Sequence, residues 1–130
     1  MLQVFDMPTS LAFYRDTLGF QIMQAAPPSP AAQDDHGWVW LRHGATELML
    51  NTAYDPDAPR PATPDRARVA AHDDTALYIG CPDVDSVYRH LLACGLAVAA
   101  PVITHYGMKQ LKVTDPDGFA LWFQHPARDP

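Results

Sequence analysis

The sequence predicts an α+β fold in which one unit, strand–helix–strand–strand–strand, is used twice. Two helical segments each end at a glycine, Gly19 and Gly95, which lie 76 residues apart. Two hairpins each carry a turn glycine, Gly44 and Gly118, 74 residues apart. Matching features at nearly constant separation are the mark of an internal duplication. A long stretch rich in Pro, Ala and Asp, with no clean period, divides the copies. The single domain of 130 residues thus has a first module over about 1–51, a connection over 52–74 and a second module over about 75–125.

In chain order, "MLQVF" is a stunted first strand ahead of Asp6. "PTSLAFYRDTL", residues 8–18, is a helix: Asp6, Thr9 and Ser10 are capping groups and Pro8 suits a helix start. Leu11, Tyr14 and Leu18 share one face, and Gly19 stands where a helix stops. "FQIMQAA" is a strand, and Pro27 to Asp35 is a loop. Residues 36–51 form a hairpin with arms Trp38 to Arg42 and Thr46 to Leu50. Residues 52–74 are the longest irregular segment. In the second copy "TALYIGC" (75–81) is a strand and "DVDSVYRHLLACG" (83–95) a helix with Val84, Val87, Leu91 and Leu92 inward. "LAVAAPV" (96–102) is a short strand that Pro101 ends or pushes to an edge. "MKQLKVT", the turn Asp115-Pro116-Asp117-Gly118 and "FALWFQ" make a closing hairpin.

Composition excludes several function classes. A formal charge of −6 and a pI near 5.3, with no basic run, argue against nucleic acid or an anionic membrane as partner. No apolar stretch approaches a membrane span, and no secretion signal is legible, so a cytoplasmic protein is expected. Cys81 and Cys94 are the two cysteines, read as reduced thiols ahead of a structural disulfide. Ser10 and Ser86 read as helix-start residues, so no nucleophilic constellation stands out. The scattered glycines form no phosphate loop.

Four stretches resemble the vicinal oxygen chelate superfamily, which contains glyoxalase I, extradiol dioxygenases, fosfomycin resistance enzymes and bleomycin-binding resistance proteins. They are Asp6 with Ser10–Phe20, "ELMLN" (47–51), "DVDSVYRHLLACG" and "YGMKQLKVTDPDGFALWF" (106–123). The resemblance implies two βαβββ modules whose cupped mixed sheets surround a cavity, and a homodimer. The short first strand supports the dimer, because it leaves an edge for a partner to cover. In metal-using relatives two His or Gln residues on first strands and two residues, usually Glu, on last strands hold Zn²⁺, Ni²⁺, Fe²⁺ or Mn²⁺, which polarises the substrate.

Carried over position by position, that pattern fails here. The count back from Asp6 runs past Met1, so the first ligand is missing. Glu47 matches the second, although a one-residue register slip would make it a solvated charge. The third lands at Leu77, with Ala76 or Tyr78 one residue away, and the fourth is Trp122. His36, His43, His72, His105 and His125 sit at none of these positions. A catalytic site needs about three protein ligands, so no metal and no other cofactor is expected. Trp38, Trp40 and Trp122 suggest aromatic walls, and Glu47 and Leu77 join them as lining. Tyr106 and Lys109 flank Gly107, and Lys109 reads either as a cation for an anionic ligand or as an ordinary strand lysine. The resulting expectation is a metal-free, bleomycin-resistance-like protein that binds a small aromatic or cationic molecule, with Glu47 the carboxylate nearest Trp122. The alternatives are a metal-dependent lyase, isomerase or dioxygenase of the same superfamily, and a scaffold or dimerisation module.

Overall fold

The computed structural model describes residues 1–55 and 58–127. The chain divides into two compact units, Met1–Val69 and Ala70–Pro130. In the first unit, strand β1 (Leu2–Val4) leads into helix α1 (Met7–Leu11), then β2 (Gln21–Ala25), β3 (Pro28–Ser29), β4 (Ala32–His36), β5 (Trp38–His43) and β6 (Thr46–Thr52), with α2 beginning near its end (Arg66–Ala71). In the second unit, β7 (Ala76–Gly80) precedes α3 (Val84–Ala93), β8 (Val102–Ile103), β9 (Met108–Thr114) and β10 (Ala120–Pro126). The sheets run β1-β6-β5-β2 and β7-β10-β9-β8. First strand pairs with last in parallel, and the other pairs are antiparallel. The same order in both sheets is the duplication that the glycine spacing predicts. No described helix is long and apolar enough to cross a membrane.

Each sheet has one covered and one open face. In the first unit α1 packs on β4 and β6, and Met7, Leu11 and Tyr14 are fully buried with Val4, Val39, Leu41 and Leu50. In the second, α3 packs on β9 and β10, and Val84 and Leu91 are buried with Ile79, Leu111, Val113, Leu121 and Phe123. Strand side chains alternate between faces, so these buried residues fix the parity of every strand.

The helix predicted over 8–18 has the expected start and stop but a different winding. Asp6 caps it, its carboxylate accepting from the Thr9 N–H at 3.1 Å, and Gly19 ends it at φ 85°. Residues Ala12–Thr17, however, form a π-helical segment. The Thr17 hydroxyl donates to the Ala12 carbonyl at 3.1 Å, and the Leu18 N–H reaches Phe13 at 2.9 Å, five residues back. Arg15, on this segment, grips Asp34 of β4 with two bonds of 3.0 and 2.8 Å. The guanidinium therefore holds the Asp34 carboxyl below the usual carboxylate range.

Three irregular or extended readings are corrected. The loop predicted over 27–35 contains the ribbon β3–β4, whose Pro, Ala and Asp residues have poor strand propensity and are held instead by pairing and by Arg15. The connection over 52–74 contains α2 and a 3₁₀ turn at His72–Asp74; its residues Pro56 and Asp57 lie outside the described residues. Asp65 starts α2 by accepting from the Ala67 N–H at 3.0 Å, and His72 is held by stacking on Phe119 at 3.9 Å. The strand predicted over 96–102 shrinks to Val102–Ile103, because Pro101 lacks the N–H that would carry pairing back through it.

The second helix has the predicted bounds and buries Val84 and Leu91, but Leu92, read as inward, is 46% exposed because it follows Leu91 by one residue, a turn of about 100° away from the covered face. Asp83 caps α3, its carboxylate accepting from the Ser86 N–H at 3.0 Å. Asp83→Ala should lower the unfolding free energy by about 1 kcal/mol, the usual cost of losing a cap, measured by urea denaturation.

Candidate functional site

β10 is the central strand from which the site is built. Its start is set by the turn at 115–118, where the buried Asp115 carboxylate accepts from the Asp117 N–H at 2.9 Å and the Phe119 N–H at 2.8 Å. Gly118 closes the turn at φ 85°, a conformation that disfavours any side chain. With Leu121 and Phe123 buried under α3, parity turns Ala120, Trp122 and Gln124 onto the open face.

Two rows of side chains cross that face. In the first, Trp122 lies between Tyr78 on β7 and Lys112 on β9. The Tyr78 and Trp122 rings are nearly parallel, 10° apart, with centroids 6.2 Å apart, and the Lys112 ammonium stands 5.8 Å from the indole centroid. Tyr78 is 59% exposed while Trp122 is half-buried, so a flat aromatic surface is offered to solvent on a rigid strand. In the second row Gln124 lies opposite Gln110. The buried Gln110 amide donates to Gln124 Oε1 at 2.8 Å and to the Tyr106 hydroxyl at 3.0 Å. Gly80, the β7 neighbour of Gln124, leaves this end open, with nothing within 4 Å of where a Cβ would sit.

The open face of the first sheet is also aromatic. Trp38 and Trp40 are half-buried on β5, opposite Asn51 and Met49 of β6. Glu47 is exposed on the same face, directly opposite Arg42.

The predicted residues fall on two sheets. Trp122 and Tyr106 belong to the open face of the second sheet; Trp38, Trp40 and Glu47 belong to that of the first. Leu77 does not reach an open face. It pairs with fully buried Leu121 and so points under α3, and the open-face neighbour of Trp122 is Tyr78. Lys109 is likewise on the covered side of β9, its ammonium bonded to Asp85 at 2.6 Å. That bond holds the Asp85 carboxyl below its ordinary range. Asp85, Lys109, His125 and Ile103 border a cleft of about 510 Å³ beside the start of α3. Tyr78 entered the sequence reading only as a residue one step from Leu77, and Lys112, Gln110 and Gln124 not at all. Parity within β9 and β10 places the last three with Trp122, but Tyr78 needs the β7–β10 register, which is a pairing between distant segments.

The donor chemistry does not fit a resident divalent metal. An indole offers a donor and no lone pair, and a neutral phenol and two amides are poor ligands for the borderline ions the resemblance implies. Glu47 lies on β6, opposite Arg42. Among the described residues no three His, Cys, Asp or Glu side chains gather as a metal site.

No curated protein sequence matches the chain. Several solved structures share its fold. A bleomycin resistance determinant encoded on transposon Tn5 is 21% identical, with TM-score 0.66 over 96% of this chain and 92% of that one. TnmS3, an antibiotic-binding protein from Streptomyces sp. CB03234, is 24% identical, with TM-score 0.64 over 97% and 93%. The bleomycin-binding protein of Streptomyces verticillus, solved with copper(II)-bleomycin, is 18% identical, with TM-score 0.64 over 99% and 95%. Residues 1–123 match the family model of the same fold, and the chain belongs to the glyoxalase/bleomycin resistance protein/dioxygenase superfamily.

Proposed function

We propose that the chain is a binding protein that captures a small planar organic molecule on the open face of the second unit, without a metal. The observation that carries this reading is the Tyr78–Trp122 ring pair with Lys112 over the indole, standing where a metal-using relative would carry a carboxylate. Stacking on a preformed aromatic surface captures flat ligands at little ordering cost, because the side chains are already held by the sheet. A bleomycin-binding protein and an antibiotic-binding protein among its structural neighbours agree with a sequestering role. The neutral probe 1-naphthylmethanol tests it: binding should shift the Trp122 indole N–H resonance and be lost on Trp122→Ala. Saturable binding that Trp122→Ala leaves unchanged would contradict the reading.

The competing reading is a metal-dependent lyase, isomerase or dioxygenase, for which the exposed Glu47 is the one matching ligand position. A ligand that binds only the native state raises its melting temperature. Micromolar Zn²⁺, Ni²⁺, Fe²⁺ or Mn²⁺ should therefore leave the melting temperature of untagged protein unchanged within about 1 °C, by the linkage argument. A reproducible rise, reversed by chelator, would favour the enzyme.

The homodimer expected from the family resemblance is part of the same proposal. β1 is three residues long and, among the described residues, pairs with β6 alone at the end of its sheet, an edge that a partner would cover. Sedimentation equilibrium at tens of micromolar should give twice the chain mass of 14.4 kDa; a single-chain mass would remove the dimer and leave the binding face intact.

A further inference from the structure

The open face of the second sheet carries a lysine without an acidic partner beside uncommitted donors, and these select a ligand. Gln110 uses its amide N–H groups on the oxygens of Gln124 and Tyr106. Each of those oxygens accepts one bond and keeps a second lone pair. The Gln124 amide N–H groups and the Tyr106 hydroxyl proton have no acceptor among the described residues and stand as donors. Tyr106 is 60% exposed, so its proton is available to a ligand. The Trp122 indole N–H is a third donor, and it too has no acceptor among the described residues.

Lys112 adds a cation. Among the described residues it has no acidic partner, and its ammonium stands 5.8 Å from the neutral indole ring of Trp122. By strand parity the open-face positions of β7, β8, β9 and β10 include no Asp or Glu at all. This is notable in a chain of net charge −6. The other strand lysine, Lys109, is neutralised by Asp85 on the covered side.

Resting on the binding reading above, we infer that this face selects an anionic, acceptor-rich planar molecule, such as an aromatic carboxylate, over a cationic one. Its ring stacks beside Tyr78 and Trp122, its carboxylate takes a charge-assisted bond from Lys112, and its remaining acceptors meet Gln124 and Tyr106. Long-range repulsion from the negative chain opposes the anion, but exposed charges are screened beyond about 8 Å at physiological salt, so the local donors decide.

The test uses three probes with one ring system at physiological salt: 1-naphthylacetate, 1-naphthylmethylammonium and neutral 1-naphthylmethanol, by titration calorimetry and by the Trp122 indole resonance. The acetate should bind at least about tenfold tighter than the ammonium, as one charge-assisted bond warrants. Lys112→Met should reduce that ratio to near one, while Lys109→Met, on the same strand but the opposite face, should leave it unchanged. Equal or tighter binding of the ammonium, or a ratio indifferent to Lys112→Met, overturns the inference; Trp122-dependent binding of the neutral probe would then leave the binding reading standing. Failure of all three probes to bind at Trp122 overturns both.

Discussion

Leu121→Ala should destabilise the protein by about 2–5 kcal/mol, the range for truncating a fully buried leucine. Leu121 is 0% exposed on the central strand of its sheet, between Leu77 and Val113. Neighbours held in ladders on both sides cannot collapse far into the space a leucine leaves, which argues for the upper part of that range. Against a typical total of about 5–15 kcal/mol this is a large fraction, and urea denaturation reads it as a lower midpoint at unchanged slope. Trp122→Ala, one residue along and on the other face, should cost much less stability because Trp122 is only half-buried. The reverse order of the two losses would mean that the parity of β10 is inverted.

The same Trp122→Ala change should weaken binding of a planar aromatic ligand by about 1–3 kcal/mol, or roughly fivefold to 150-fold. Removing the indole takes away one of the two stacking surfaces and the support on which Lys112 rests. Trp122→Phe, which keeps a ring, should recover part of the loss, and calorimetric titration distinguishes the three proteins. An unchanged affinity in Trp122→Ala would place the ligand elsewhere.

These two neighbouring residues show what the sequence made legible and what it did not. The architecture was legible because its signals are local. Gly19, Gly44, Gly95 and Gly118 all adopt positive φ at the stops and turns their spacing marks. Asp6 and Asp83 both cap the helices they precede. The alternation in "FALWFQ" separates Leu121 and Phe123 from Trp122 on sight, and burial agrees with it. Leu77 was misassigned because the count from Asp83 is ambiguous by one residue, and one residue in a strand exchanges the faces. Only the pairing of Tyr78 with Trp122 across two distant segments settles it. Lys109 was similarly ambiguous until α3 brought Asp85 to it, 24 residues away in sequence.

The ribbon β3–β4 and helix α2 were illegible for a different reason. Their Pro-, Ala- and Asp-rich segments have weak intrinsic preferences, so tertiary ties decide their conformation. Arg60 illustrates such a tie, bonding the Phe5 carbonyl at 3.3 Å and Asp6 at 3.2 Å while pairing with the buried Asp35 at 3.4 Å. An arginine partnered 54 residues back has no periodic signature in the chain.

The Tyr78–Trp122–Lys112 row is proposed as a metal-independent binding surface. The most direct measurement is a map of ¹⁵N and ¹H chemical-shift changes on titrating 1-naphthylacetate into the protein in the presence of a chelator. The largest saturable shifts should fall on the Trp122 indole N–H, the Gln124 side-chain amide and the backbone of Tyr78 and Lys112. Shifts centred instead on the cleft bordered by Lys109 and His125, or appearing only after Zn²⁺ or Fe²⁺ replaces the chelator, would contradict it.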